Sequence, residues 1–169
     1  MKIKLIALLL AFALVAYACD SSSSSEPEED IDELVGAWVS EGVGNVAPGL
    51  AILVQTARID AEFFENQTYS VVSVDSSGAA VNFEGNWVAG EPNEEGIRTI
   101  TLNQSVPTTL TSSGIFRVDG DQMTYEVIQS SPALEGVTPP TPEGGFGSTI
   151  QGGQQAGPLW IQRYERDRD

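Results

Sequence analysis

Few side chains in this sequence can do chemistry, and what is missing decides most. The 169 residues include no histidine and one cysteine, Cys19. A Ser-His-Asp triad, a Cys-His pair and a His-ligated zinc are excluded. An internal disulfide and a cysteine-rich metal or iron–sulfur centre are excluded as well. Acids are plentiful: 24 Asp and Glu stand against 8 Lys and Arg, a formal net charge of −16. Such a chain repels phosphate backbones, so no nucleic-acid partner is expected. No pair of acids has the spacing of a hydrolase motif. Asp119-Gly120-Asp121 spaces two acids as a calcium loop does, but without the closing Glu, and reads as a β-turn. Glu91, Glu94 and Glu95 read as a solvated loop. No metal, no cofactor and no enzymatic activity are expected.

The surroundings of Cys19 carry more. Met1-Lys2-Ile3-Lys4 is a short basic start. Leu5 to Ala18 is an uncharged run of 14 residues, with small Ala16 and Ala18 at −3 and −1. Residues 1–18 thus have the layout of an export signal, shorter than the roughly 18–20 residues of a membrane span. Val15-Ala16-Tyr17-Ala18-Cys19 resembles a bacterial lipobox. The resemblance implies cleavage between Ala18 and Cys19 and a diacylglycerol on the Cys19 thiol. The alternative is plain secretion at Ala-x-Ala, which leaves a lone thiol in an oxidising compartment. Lipid chains would tether the protein to a membrane at about 0.8 kcal/mol per buried CH₂.

Residues 19–33 then form the lipidated Cys and a tether: five serines and seven acids after it, with Ile31 the one apolar residue. That composition cannot bury enough surface to order itself. A Ser/acid run in this place resembles the surface-export signals of some Gram-negative envelope lipoproteins. The expected location is the outer membrane, facing the periplasm or the cell surface. With a bacterial lipobox, the sequons at Asn66 and Asn103 are chance matches.

Residues 34–169 read as one all-β domain. Period-two runs fall at Val35 to Ser40, Ala57 to Glu65, Thr68 to Asp75, Ala80 to Val88, Ile97 to Gln104, Gly114 to Val118, Gln122 to Gln129 and Pro158 to Arg166. Asn66-Gln67, Ser76-Ser77-Gly78 and Asp119-Gly120 supply the turns. These runs predict an antiparallel, up-and-down, eight-stranded β-barrel, with a two-sheet β-sandwich as the alternative. Gly49 to Thr56 is too continuously apolar for that period and could be a short helix plugging one barrel end. Residues 130–158 are a long loop with five Pro and seven Gly. It is either a lid or partner-binding loop carrying Phe146, or a surface insertion.

Gly36-Ala37-Trp38 at the start of the first strand resembles the N-terminal motif of lipocalins and related calycin barrels. The Phe63 to Tyr69 and Phe116 to Asp121 segments look like hairpins of small lipocalin-like bacterial lipoproteins. In outline the resemblance covers Leu34 to Arg166. It implies a barrel end closed by Trp38, with Arg163 or Arg166 packed over the indole, a cation–π contact of roughly 0.5–2 kcal/mol. It also implies a barrel that takes a small hydrophobic or amphipathic ligand. In related fatty-acid-binding barrels an inward Arg fixes a carboxylate; Arg98, on the face of Ile100 and Leu102, is the candidate here. Its alternative is an Arg at the barrel mouth or paired with an acid. The chain departs from typical lipocalins in lacking disulfide cysteines and a clear C-terminal helix. Small barrels can also be filled by their own side chains. In that case the protein is an interaction, structural or inhibitor-type lipoprotein that binds an envelope protein through its loops.

Overall fold

The structure, a computed structural model, describes residues 31–168. The expected signal peptide (residues 1–18, ending in Ala18), the expected lipidation site Cys19 and most of the expected tether lie outside the described residues. Eight strands form a closed antiparallel barrel: β1 (Gly36–Glu41), β2 (Thr56–Phe63), β3 (Thr68–Asp75), β4 (Ala80–Ala89), β5 (Arg98–Val106), β6 (Leu110–Asp119), β7 (Gln122–Ser131) and β11 (Ile161–Asp167). Each pairs with its neighbour in sequence, and β11 closes the ring by pairing with both β7 and β1. The eight-stranded barrel is therefore the fold, and the sandwich is set aside.

Alternation decides what each strand turns inward. Trp38, Phe63, Tyr69, Trp87, Ile100, Leu102, Phe116, Met123 and Tyr164 build one buried cluster with Leu34. Phe63 packs edge-on against Trp87, with centroids 6.2 Å apart. Tight turns at Phe64–Gln67 and Gly120–Asp121 and the loop before β5 lie at one pole. Gln67 takes a positive φ of 63° in the first of these turns.

That pole is closed by the incoming chain. Leu34 is fully buried and Trp38 Nε1 donates to its carbonyl at 2.9 Å. The boundary between tether and domain thus falls earlier than Leu34, because Asp32 and Glu33 are already fastened to barrel arginines.

The other pole, the mouth, carries the long connections. α1 (Pro48–Leu53) is the short helix foreseen in the apolar run, with Pro in its first turn, where no intrahelical N–H bond is lost. Between β7 and β11 runs a strap, residues 132–160. It contains the two-residue strands β8 (Val137–Thr138), β9 (Ile150–Gln151) and β10 (Gln154–Gln155), paired in the order β10-β9-β8. A 3₁₀ turn at Gly157–Trp160 follows, so the last strand begins at Ile161 rather than at Pro158.

Candidate functional site

The closed pole shows what the arginines do. Arg166 lies with its guanidinium carbon 4.1 Å from the Trp38 ring centroid. Its Nη1 donates to the Val35 carbonyl at 2.9 Å and its Nη2 to that of Glu33 at 2.8 Å. Gly36 makes the approach possible: a Cβ there would sit 2.6 Å from Arg166 Nη1, and its φ is +129°. Arg163 is elsewhere, donating to the Gly44 carbonyl at 3.1 Å.

Arg98 also serves this pole. It shares the inward face of Ile100 and Leu102 as its position predicts, but its guanidinium meets Asp32 at 2.9 and 2.7 Å. Its Nε donates to the Gly90 carbonyl, and it stacks over Phe116 at 5.0 Å. Burial opposes ionisation of Asp32, but the Arg98 hydrogen bonds and the Leu34 N–H outweigh it and hold that carboxyl below its usual range. Arg98 and Arg166 thus grip Asp32 to Val35 from two sides. Arg98, the candidate ligand-carboxylate anchor, is instead paired with an acid, because Asp32 of the entering chain occupies its guanidinium.

The mouth is different. A cavity of about 380 Å³ opens there. The Tyr125–Tyr164 pair, edge to face at 5.9 Å, lines it where it meets the core cluster. Val127 and Gln129 of β7 and Gln162 of β11 continue the barrel wall upward. Ala47, Leu50 and Leu53, from α1 and the residue before it, cover one side. Leu134, Val137, Gln151 and Trp160 of the strap form the other. No charged residue lines it. α1 and the strap meet where Gly49 lies flat on Trp160; a Cβ on Gly49 would sit 2.5 Å from the indole.

The strap is held to the outer wall by Glu126. This side chain points away from the core and is nonetheless fully buried. Its carboxyl group accepts from the backbone N–H groups of Gly147 and Thr149 and from the Thr149 hydroxyl. Ile115 and Ile161 stand opposite it on the flanking strands. Farther down, Asn93 Nδ2 donates to the Pro142 carbonyl at 3.1 Å. The segment from Ser131 therefore descends the outside of the barrel and returns to the mouth. Phe146 is half-buried in it rather than presented to solvent.

The sequence-derived site residues and the cavity do not coincide. Gly36, Trp38, Arg98 and Arg166 come together at the closed pole. Gln162, Trp160, Leu50 and Leu134 form the mouth and carried no motif. The available signals were the non-alternating run at α1 and the Pro/Gly-rich stretch at the strap. The other sequence candidates are structural. Asp121 pairs with Arg168 and, at 3.9 Å, Arg166. Asn93, between Glu91 and Glu94, ties its own loop by accepting from the Glu95 and Ile97 amides.

The chain matches no protein-family model, no curated protein and no solved structure. Its class is therefore the one its geometry defines: an eight-stranded antiparallel barrel, closed at one pole by the entering chain and bearing a cavity at the other.

Proposed function

We propose that this protein is a non-enzymatic binding protein whose barrel mouth holds a small hydrophobic or amphipathic ligand. One observation carries the reading: at the barrel mouth, beside Tyr125 and Tyr164, opens a mostly apolar cavity of about 380 Å³ with no charged residue in its wall. Ligand cavities run from about 300 to 1,000 Å³ and are mostly apolar with a few polar groups, as here. The sequence resemblance to lipocalins and to lipoprotein signals supports a carrier anchored in the outer membrane through Cys19.

Native mass spectrometry of protein purified from its own host tests the reading. A co-purifying small molecule, lost when Leu50→Trp and Val127→Trp fill the cavity, is expected. Protein that arrives empty and also fails to take up an apolar dye would overturn it. Intact mass tests the anchor: a mature N-terminus without acyl mass sinks lipidation.

A second reading has its own observation. Ile52, Leu53 and Val54 are well exposed beside the mouth, as a protein-docking rim would be. A co-purifying protein, displaced by Ile52→Asp, favours this interaction role over the carrier role.

A further inference from the structure

The residues around the cavity also say what kind of ligand it takes; this inference rests on the carrier reading above. Three amides reach the cavity wall, and each is oriented by a bond within the protein. Gln162 Oε1 accepts from the Ala47 N–H at 3.0 Å. Gln151 Oε1 accepts from Trp160 Nε1 at 3.1 Å. Gln129 Nε2 donates to the Pro132 carbonyl at 2.8 Å. These bonds fix which end of each amide remains. Gln162 and Gln151 keep their NH₂ groups, and Gln129 keeps its oxygen.

The Gln162 group stands out. Among the described residues, only Ser40 Oγ, Trp87 Nε1 and Gln162 Nε2 are buried side-chain polar atoms without a hydrogen-bond partner, and of these three residues only Gln162 lines the cavity. A buried donor without an acceptor is costly, and such groups in native proteins are normally satisfied. Gln162 borders the cavity, so an acceptor on a molecule filling the mouth could supply the missing partner.

That acceptor belongs to an uncharged molecule. Every lining residue is neutral, so an ion inside would lose its hydration with no counter-charge to replace it. Arg98, the carboxylate anchor expected from the sequence, is at the opposite pole and engaged by Asp32, and Arg163, next to Gln162 on β11, is exposed, bonded to the Gly44 carbonyl and absent from the cavity wall. The strongly negative chain adds a general repulsion of anions.

We infer that the cavity selects uncharged, acceptor-bearing amphiphiles such as ketones, esters or alcohols, with Gln162 Nε2 as the donor that orients them, and rejects carboxylates of the same shape.

Three probes sharing one ring system separate the terms: naphthalene, 2-acetylnaphthalene and 2-naphthoate, titrated calorimetrically at pH 8 into the protein lacking residues 1–18. Acetylnaphthalene is expected to bind three- to tenfold more tightly than naphthalene, and naphthoate at least tenfold more weakly than acetylnaphthalene. Gln162→Leu is expected to erase the advantage over naphthalene while naphthalene itself still binds. If Gln162→Leu does not fold, the wild-type series decides alone. Naphthoate binding as well as the ketone, or the ketone no better than naphthalene, overturns this inference and leaves the carrier reading standing. If none of the three binds, both fall.

Discussion

At the scale of single residues, the closed pole depends on a small set of mutually dependent contacts. Gly36 lets Arg166 lie flat on Trp38, and the same guanidinium bonds two carbonyls of the entering chain. Arg166→Ala removes a cation–π contact worth about 0.5–2 kcal/mol and leaves two carbonyls unbonded. We expect a loss of about 2–3 kcal/mol in urea unfolding. Gly36→Ala should cost a similar amount, because φ of +129° strains any side chain and the new methyl pushes Arg166 off the ring. The double variant should lose clearly less than the two single losses together, since both act on one contact. Full additivity would show that Gly36 is there for the backbone alone. The tyrosines give a second test. Tyr69, Tyr125 and Tyr164 are the only ones beyond residue 18. Burial raises all three, Tyr69 to about 12 and the other two in the same direction. A raised phenol contributes stability that is complete below its unfolded value near 10 and is lost as pH climbs through the folded value. Absorbance at 295 nm should therefore stay flat through pH 10 and rise only together with cooperative unfolding. A phenol that titrates reversibly near pH 10 in folded protein would contradict this burial.

At the scale of elements, the strap is the part that the pattern of residues conceals. Strands β2, β3 and β4 can be read from alternation, because each has one face toward the core and one toward water. β6 is longer than its pattern, starting at Leu110 rather than Gly114, since Thr111, Ser112 and Ser113 give no apolar contrast. Outward positions on β6 and β7 read as solvent-facing, yet Ile115, Glu126 and Ile128 are buried there. The cause is a long-range contact: a loop without its own period covers that wall, and nothing in residues 110–131 announces what will cover them. The same holds for the cavity, whose lining comes from four separate stretches of chain. The Trp38 closure, by contrast, was legible through the resemblance of Gly36-Ala37-Trp38 to the lipocalin motif, a signal carried by three neighbouring residues. Glu126 gives the strap its attachment, so Glu126→Ala should leave three donors near Gly147 and Thr149 unpaired. We expect about 2–4 kcal/mol of local destabilisation. Amide exchange at residues 147–151 should accelerate, with cleavage appearing between 144 and 153, while amides of β2 to β5 remain protected. Unchanged exchange in the strap would mean that Asn93 and the apolar wall hold it without Glu126. Because Gln151 and Trp160 belong to both strap and cavity, ligand dissociation should quicken in the same variant.

At the scale of the whole molecule, charge and cavity make opposite demands on the solvent. Removal of residues 1–18 takes both lysines and leaves six arginines against 24 acids, a net charge of −18. From Leu34 onward the balance is still −11. Several arginines already have acid partners: Arg58 with Glu41 and Asp60, Arg98 with Asp32, and Arg166 and Arg168 with Asp121. Most acids therefore repel one another across the surface. Exposed ion pairs contribute only about 0–1 kcal/mol each, so screening them loses little. Screening the excess acids gains more, as the Debye length falls from about 30 Å at 0.01 M salt to about 3 Å at 1 M. The melting temperature should consequently rise by several degrees between 0.01 and 0.5 M sodium chloride. A chain of this composition suits a saline medium, and a melting temperature that falls with salt would oppose that view. Ligand binding should behave otherwise. A neutral molecule in a cavity with no charged wall has nothing to screen, so its dissociation constant should change less than twofold over the same range. A steep weakening with salt would mean that charge, not apolar contact and one amide donor, holds the ligand. The two salt titrations, one of stability and one of affinity, thus separate a surface dominated by its acids from a mouth that excludes them.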